Sequence, residues 1–304
     1  MIGEKRVKFD FEVDFLNGGG LQGTDFRLDI EGDDIDDASL AEAIVRDLRL
    51  LMVGAVRIRN KIVISEPHKR PASQPTASEG GGAGAPQMID LSHPIEHGME
   101  TYRGLPGPVI EDHLSRAASR SHYAPGTEFH IGRISMVANT GTYLDAPSHR
   151  FADGADVAAL DLPGLADLPG VVVRVTGIRE RAIPAAAFAA HEVRGRAVLV
   201  HTGWDRHWRT EAYFAGHPFL TADAAAHLRD AGAALVGIDS LNIDDTEDGA
   251  RPAHTTLLAA GIPIVEHLRG LEQLPAGGFR FTAVPAPVRG LGTFPVRAFA
   301  VIGP

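Results

Sequence analysis

Cysteine is absent from the 304 residues, which excludes disulfide bonds, thiolate zinc sites and a cysteine nucleophile. Lysine is scarce, and all four copies lie in the first 70 residues, at Lys5, Lys8, Lys61 and Lys69. Residues 71–304 therefore hold neither a Schiff-base lysine nor the lysine of a phosphate-binding loop. No run of about 18 apolar residues occurs, so the sequence predicts no membrane-spanning helix.

Positive charge is in short supply as well. Lys and Arg number 29 against 39 Asp and Glu, which gives a formal net charge of −10. Nucleic acids and anionic membranes attract basic surfaces, so we expect no partner of either kind. The first residues, MIGEKRVKFDFE, contain no apolar segment of signal-peptide length, and we expect the protein in the cytoplasm.

Residues 71–86, PASQPTASEGGGAGAP, mark a change in composition along the chain. The segment has no apolar periodicity that could offset its ordering entropy, so it predicts a flexible linker. We therefore expect a small α+β module over residues 1–70, whose role the sequence leaves open, and an α/β domain over residues 87–304. Hydrophobic residues make up 44% of the chain, enough for a sizeable core.

The predicted module shows the pattern of half-buried strands. Apolar side chains alternate over residues 7–15 and again over residues 26–30. The glycines of residues 17–23 have the spacing of a dinucleotide-binding loop, but a strand follows them in place of a helix, so they predict a hairpin. Ser39 is the expected N-cap of a helix, and one or two more strands are expected over residues 56–64.

After the linker, apolar runs of strand length alternate with helices. Thr221 and Gly232 are the expected caps of one helix, and a shorter helix is expected over about residues 254–260. Helices that connect successive strands favour parallel pairing, so the sequence predicts that these strands are buried and pair in parallel. The predicted strands are Val171–Val175, Ala197–Val200, Ala234–Asp239, Ile262–Glu266, Phe279–Val284 and Val296–Ile302.

The densest chemical motif runs from Asn139 to His149 and reads NTGTYLDAPSH. Gly141 permits a tight turn and Pro147 stiffens the segment, so Asp145 and His149 are held in a fixed relation. A carboxylate and an imidazole placed in this way can act as metal ligand and general base. They can equally form a structural pair, in which the carboxylate caps a turn and the imidazole hydrogen-bonds to it.

This segment resembles the signature of the cyclase family of metal-dependent hydrolases, His-x-Gly-Thr-His-x-Asp-x-Pro-x-His, to which bacterial kynurenine formamidase and isatin hydrolase belong. The resemblance covers about residues 87–304 and implies a swivelling β/β/α fold with a barrel-like sheet flanked by helices. It also implies a homodimer or homotetramer that acts on a small molecule. Other similar segments are Ile89–Ser92, Val236–Ser240, Pro252–His254, Ile264–Glu266 and Gly292–Ala298.

Carried over by position, the resemblance implies Asp145, His254 and Glu266 as metal ligands and His149 as the catalytic histidine. A set of one imidazole and two carboxylates is oxygen-rich, so it would hold one divalent ion, manganese or zinc.

The sequence departs from the family signature at two places. Asn139 and Tyr143 stand where the family has its first two histidine ligands, and an amide or a neutral phenol is a weak zinc ligand. A metal-free pocket is the alternative, with Tyr143 and His149 as acid and base.

Several further side chains follow predicted strands, where pockets open in parallel sheets. We expect Asn139, His201 and Trp204 to bind substrate. Asp244 is among the acidic residues that could orient a ligand side chain through a hydrogen bond without touching the bound group itself. His267 is expected on an exposed or inter-subunit surface.

These observations support three hypotheses about function. The first is a metal-dependent hydrolase of a small amide, formamide or lactam-type carbonyl compound. The second is a cyclase, dehydratase or isomerase of biosynthesis with a depleted metal site or none. The third is a ligand-binding protein without catalysis.

Overall fold

In the computed structural model, the chain divides into two compact units, residues 1–80 and 81–304. The predicted linker lies outside the described residues except for Pro86, so its flexibility stays a prediction. The structure describes residues 5–16, 18–30, 32, 34–48, 50, 53–65, 86–177 and 180–303.

The first unit consists of β1 (Lys5–Phe15), β2 (Gly20–Asp29), α1 (Asp37–Asp47) and β3 (Val53–Ser65). Its sheet is antiparallel with the order β2–β1–β3, and α1 packs on one face. The segment expected to hold one or two strands forms a single one, β3. The core contains the side chains selected by the predicted alternation and two from the helix: Val7, Phe9, Phe11, Val13, Leu40 and Ile44.

The glycine-rich segment forms the predicted hairpin turn between β1 and β2. Gly18 and Gly19 have φ angles of +89° and +85°, a region that glycine enters without the steric cost of a Cβ atom. The strand that follows begins at Gly20, so no helix is present for a dinucleotide phosphate.

The prediction that Ser39 caps the first helix was wrong. The helix begins at Asp37, and Asp36 caps it by accepting hydrogen bonds from the N–H groups of Ala38 (3.0 Å) and Ser39 (2.9 Å). The Ser39 hydroxyl donates to the same carboxylate at 2.7 Å. A capping side chain must lie before the first turn, and the acidic run supplies a carboxylate there.

The described residues of the second unit form thirteen strands and three α-helices. The helices are α2 (Arg116–Ser119), α3 (Ala222–Ala231) and α4 (Pro252–Ala259). The strands are β4 (Gln87–Asp90), β5 (Val109–Leu114), β6 (Ile131–Ser135), β7 (Tyr143–Asp145), β8 (Leu168–Arg174), β9 (Ala182–Ile183), β10 (Ala197–His201), β11 (Phe219–Leu220), β12 (Leu235–Ile238), β13 (Ile264–Glu266), β14 (Gly277–Thr282), β15 (Thr293–Pro295) and β16 (Phe299–Ile302).

Nine of these strands form one mixed sheet that curls into a half-barrel, in the order β15–β7–β13–β12–β10–β8–β14–β16–β4. The central strands β13, β12, β10 and β8 run parallel, as predicted for strands joined by helices. The outer strands pair antiparallel. Helices α3 and α4 lie in the connections from β10 to β12 and from β12 to β13, whereas the described residues between the parallel strands β8 and β10 form no α-helix.

The central strands are apolar on both faces because both faces are covered. In β8, Val171 and Val173 face the core beneath α3 and α4, whereas Val172 faces a second core inside the curl. In β10, Val198 faces the core beneath α3 and α4, and Leu199 faces the second core. This explains why these strands read as continuous apolar runs in the sequence.

The predicted helix caps of α3 are confirmed. Thr221 Oγ1 accepts a hydrogen bond from the Ala224 N–H at 3.3 Å, and Gly232 ends the helix with a φ angle of +80°. Among the residues that the structure describes, no helix has the length and apolar character needed to cross a membrane.

Phe9→Ala tests whether the first unit is stabilised by its own core. The ring is 1% exposed, and its removal should cost about 3–5 kcal/mol, most of the stability of so small a unit. Both tryptophans of the chain, Trp204 and Trp208, lie in the second unit. Urea unfolding should therefore show an earlier transition by far-UV circular dichroism and an unchanged midpoint by tryptophan fluorescence.

The matched control is Ile62→Ala, whose side chain is 53% exposed and should leave both transitions in place. Equal shifts of the two midpoints in Phe9→Ala would contradict the separate cores.

Candidate active site

Three short antiparallel strands, β15, β7 and β13, bring the predicted chemical groups to one face of the sheet. Glu266 of β13 stands opposite Tyr143 of β7, and Thr293 of β15 stands opposite Asp145. Side chains alternate along a strand, so Tyr143 and Asp145 share a face while Leu144 enters the core. The pairing unites residues that are 123 and 148 positions apart in the sequence.

His254 reaches this site from α4, and Asp244 fixes its orientation. Asp244 accepts hydrogen bonds from the backbone N–H groups of Ala253 (2.6 Å) and His254 (3.0 Å), which start the helix. Its Oδ2 also lies 2.7 Å from His254 Nδ1. A carboxylate can only accept here, so Nδ1 carries the hydrogen and Nε2 is left for the site.

His149 ends a 3₁₀ turn, Pro147–His149, next to β15. The Thr293 hydroxyl donates a short hydrogen bond to Asp145 Oδ1 and lies 2.8 Å from His149 Nδ1. Since the hydroxyl gives its only proton to the carboxylate, it accepts from the Nδ1–H of His149. Nε2 of the neutral imidazole then holds the lone pair that a general base needs.

The geometry suits a metal ion. Asp145, His149 and His254 each offer a ligand atom within 4.8 Å of the others. His254 Nε2 also lies 3.5 Å from Asp145 Oδ2 and 3.7 Å from Glu266 Oε1. Two ligand atoms of one tetrahedral ion lie about 3.4 Å apart, close to these separations. Asp145 Oδ2 is buried without a hydrogen-bond partner among the described residues, a costly state that a cation would relieve.

The electrostatics of the site also favour a positive charge at its centre. Asp145, Asp244 and Glu266 are all buried. Burial alone would lower the pKa of His254, but these carboxylates outweigh it and raise that pKa above its ordinary value. Burial raises the pKa of Glu266, although the His254 cation opposes the change. A proton on His254 or a bound cation would each balance the buried negative charge.

Tyr143 belongs to a buried chain of hydrogen bonds. Its hydroxyl donates to Glu266 Oε2 at 2.7 Å and lies 3.2 Å from His267 Nε2, while His267 Nδ1 lies 2.8 Å from the Tyr213 hydroxyl. Burial raises the pKa of Tyr143 well above its ordinary value and lowers that of His267. Both groups are therefore neutral, and Tyr143 acts as a donor to the carboxylate.

The prediction that His267 lies on a surface was wrong, since the residue is fully buried. The pattern of β13 ends at Glu266, and nothing in the local sequence indicates that the next side chain turns inward. Its φ angle of +56° produces that turn.

These groups face a cavity of about 440 Å³, a size that suits a small molecule. Asn139, one of the predicted substrate residues, lines it. The complete lining is Tyr102, Arg103, Gly104, Leu105, Asn139, Tyr143, His149, Arg150, Asn242, Arg251, His254 and Glu266.

His201 and Trp204, the other two predicted substrate residues, are not among the residues that line the cavity. His201 Nδ1 lies 3.1 Å from a guanidinium nitrogen of Arg174, and the Trp204 indole donates to the Tyr213 carbonyl at 3.0 Å. Both therefore have structural partners.

The sequence did not single out Thr293 as a candidate site residue. It lies in a segment that resembles the family, but a threonine carries no chemical signal of its own. Its importance follows from the register of β15, which sets its hydroxyl between a carboxylate and an imidazole.

Most of the second unit is similar to known proteins. Residues 89–245, about half of the chain, match the family model named Cyclase and described as "Putative cyclase". The chain belongs to the cyclase family. The first unit of this cyclase-family protein lies outside the matched residues.

Individual relatives agree with this assignment. The kynurenine formamidase of Bacillus cereus is 28% identical over 213 residues, which cover 70% of this chain and 96% of the relative. A solved "potential metal-dependent hydrolase with cyclase activity" has a TM-score of 0.59 and 28% identity, and the match covers 71% of this chain and 98% of that one.

An isatin hydrolase bound to the product analogue thioisatinate has a TM-score of 0.63 and 21% identity, and the match covers 72% of this chain and 93% of that one. At this identity the likeness shows the fold alone. The predicted family, the curled α/β fold and the prediction of a hydrolase are confirmed.

Gly292→Ala should displace His149. A Cβ atom at residue 292 would lie 2.3 Å from the backbone N of His149 and 2.5 Å from its Cα, and backbone atoms cannot move away cheaply. We expect a loss of about 1–3 kcal/mol in the free energy of unfolding, measured in urea, and a shifted His149 ring resonance in NMR spectra. Gly164→Ala, whose Cβ would meet no atom within 4 Å, is the control. A Gly292→Ala protein with unchanged stability and resonance would contradict this close approach.

Proposed function

We propose that this cyclase-family protein hydrolyses the C–N bond of a small amide, formamide or lactam with the help of one divalent ion. The supporting observation is that His254 Nε2 lies 3.5 Å from Asp145 Oδ2 and 3.7 Å from Glu266 Oε1, beside His149 and the cavity. The kynurenine formamidase and isatin hydrolase relatives are named for substrates of this type.

The proposed ligands are Asp145, His254 and Glu266. Tyr143 is a neutral donor to Glu266, and Asn139 offers only an amide, so neither adds a strong ligand for a second ion. One imidazole and two carboxylates suit manganese as well as zinc. When bound, the ion would lower the pKa of a water molecule toward about 7 and polarise the substrate carbonyl.

His149 is the proposed general base and acid. Its Nε2 takes a proton from the attacking water, whose oxygen bonds to the carbonyl carbon, and returns that proton to the leaving nitrogen as the C–N bond breaks. Thr293 and Asp145 hold the imidazole through Nδ1, and the Asp145 charge stabilises the imidazolium that forms between the two steps.

We also propose a homodimer or homotetramer in the cytoplasm, as the family resemblance implies. An exposed ribbon of two strands, β5 and β6, supports the assembly. Its apolar side chains Val109, Ile110, Ile131 and Ile134 are 42–49% exposed, and an isolated two-stranded ribbon is marginal in water unless another surface covers it.

Metal analysis of purified variants tests the ligand set. Asp145→Ala, His254→Ala and Glu266→Ala should each lower the bound metal well below one ion per chain, because each removes a ligand from a small set. His149→Ala should retain the metal and lose about 10²–10⁴-fold in the rate of formanilide hydrolysis.

The control for these variants is His207→Ala, which removes an imidazole that does not line the cavity. Loss of metal from His149→Ala would make His149 a ligand, and full occupancy in the other three variants would refute the set.

Tyr143 supports a second function, the cyclase, dehydratase or isomerase alternative. Tyr143 lines the cavity, and burial raises the pKa of its hydroxyl, which keeps the phenol protonated as an acid would need. Tyr143→Phe decides between the two functions. If the phenol only fixes Glu266, metal content and kcat should stay within about 10-fold of wild type. A loss of activity beyond about 100-fold with unchanged metal would make the phenol a participant.

A further inference from the structure

Arginine is concentrated around the cavity of an acidic protein. The chain has a net charge of −10, yet Arg103, Arg150 and Arg251 all line the cavity, and Glu266 is its one acidic lining residue. Glu266 already has partners in Tyr143 and the Ile243 N–H. Positively charged groups therefore line the wall of the cavity, beside the buried carboxylates of the proposed metal site.

The three arginines differ in their partners. Arg103 forms an ion pair with Glu211 and lies over the Phe214 ring at 4.8 Å. Arg150 Nε donates to the Thr255 hydroxyl at 3.3 Å, a neutral acceptor. Arg251 donates to the carbonyl oxygens of residues 245 and 246 at 2.9 and 3.4 Å.

Neutral acceptors fix a guanidinium in place without neutralising its charge. In the part of the chain that the structure describes, neither Arg150 nor Arg251 forms an ion pair with a carboxylate, unlike Arg280 and Arg297, which lie outside the cavity lining. Arg251 also has a φ angle of +48°, a left-handed conformation that non-glycine residues adopt at a cost and that is frequent at functional sites.

Both arginines lie next to the proposed catalytic groups. Arg150 follows His149 directly, and Arg251 precedes α4, which carries His254. Thr255 joins them, since it accepts from Arg150 and its backbone N–H donates to the Arg251 carbonyl at 2.9 Å. Both arginines are therefore anchored at the start of α4 and line the same cavity as His149 and His254.

We propose that Arg150 and Arg251 bind a carboxylate on the substrate, so that the substrate is an amide, formamide or lactam that also carries an acid group. This inference rests on the proposed hydrolase function and narrows it. Guanidinium groups pair with carboxylates through parallel N–H donors, which sets orientation as well as affinity. Tyr102 and Leu105 of the same cavity offer apolar surface to the body of such a molecule.

The test compares two formamides that differ in one group, N-formylanthranilate and formanilide. The wild-type holoenzyme should hydrolyse the acid with a kcat/KM at least about 10-fold higher, because a hydrogen bond to a charged group contributes about that factor. Arg150→Gln and Arg251→Gln should each reduce this preference, the ratio of the two kcat/KM values, by about 10-fold.

Two further sets of variants control the comparison. Arg150→Lys and Arg251→Lys keep the charge and should restore part of the preference. Arg229→Gln removes the charge of an exposed arginine paired with Asp230 and should change nothing. Metal content, measured for every variant, separates a loss of substrate binding from a loss of the ion.

The outcomes distinguish this inference from the proposed function. Hydrolysis of both compounds without preference, or a preference that survives both glutamine variants, overturns the arginine assignment and leaves the hydrolase in place. If neither compound is hydrolysed, calorimetric binding of anthranilate and of anthranilamide decides the assignment. Tighter binding of anthranilate that is lost in the glutamine variants supports it, and equal affinities overturn it.

Discussion

Two carboxylates buried on neighbouring strands, Asp145 of β7 and Glu266 of β13, impose the main physical constraint on this protein. A charge removed from water must be paired or hydrogen-bonded, and the second unit is arranged to meet that requirement. Thr293 donates to Asp145, the Ile243 N–H donates to Glu266 at 2.7 Å, and His254 lies between the two. These groups leave one carboxylate oxygen without a hydrogen bond and an excess of negative charge, which a proton on His254 or a bound cation would balance.

Features that depend on local sequence could be predicted. The alternation of β1, the glycine hairpin and the caps of α3 each follow from the conformational preferences of a few consecutive residues. The motif from Asn139 to His149 was also recognisable, because a carboxylate and an imidazole four positions apart are unusual on a stiff turn. The resemblance over residues 87–304 then supplied the family, since ordered matches over that length are far more specific than one motif.

Features that depend on the register between strands far apart in the sequence could not be predicted. Glu266 meets Tyr143 across 123 positions and Thr293 meets Asp145 across 148, and no local pattern encodes either pairing. Sequence also could not show whether His201 and Trp204 line the cavity. A residue at the end of a strand lies at an edge of the sheet, but the sequence does not indicate which strands border the cavity. His267 turned inward through its backbone, and hydrophobicity gives no sign of such a turn.

The placement of β15 has a consequence for how the protein loses activity. This strand is the terminal one of the nine-stranded sheet, spans three residues and ends in a proline, which donates no ladder hydrogen bond. Terminal strands fray at lower free energy than the parallel centre, and their amides exchange with solvent sooner. Fraying of β15 would remove the hydroxyl that selects the tautomer of His149, so inactivation on heating should precede melting of the core.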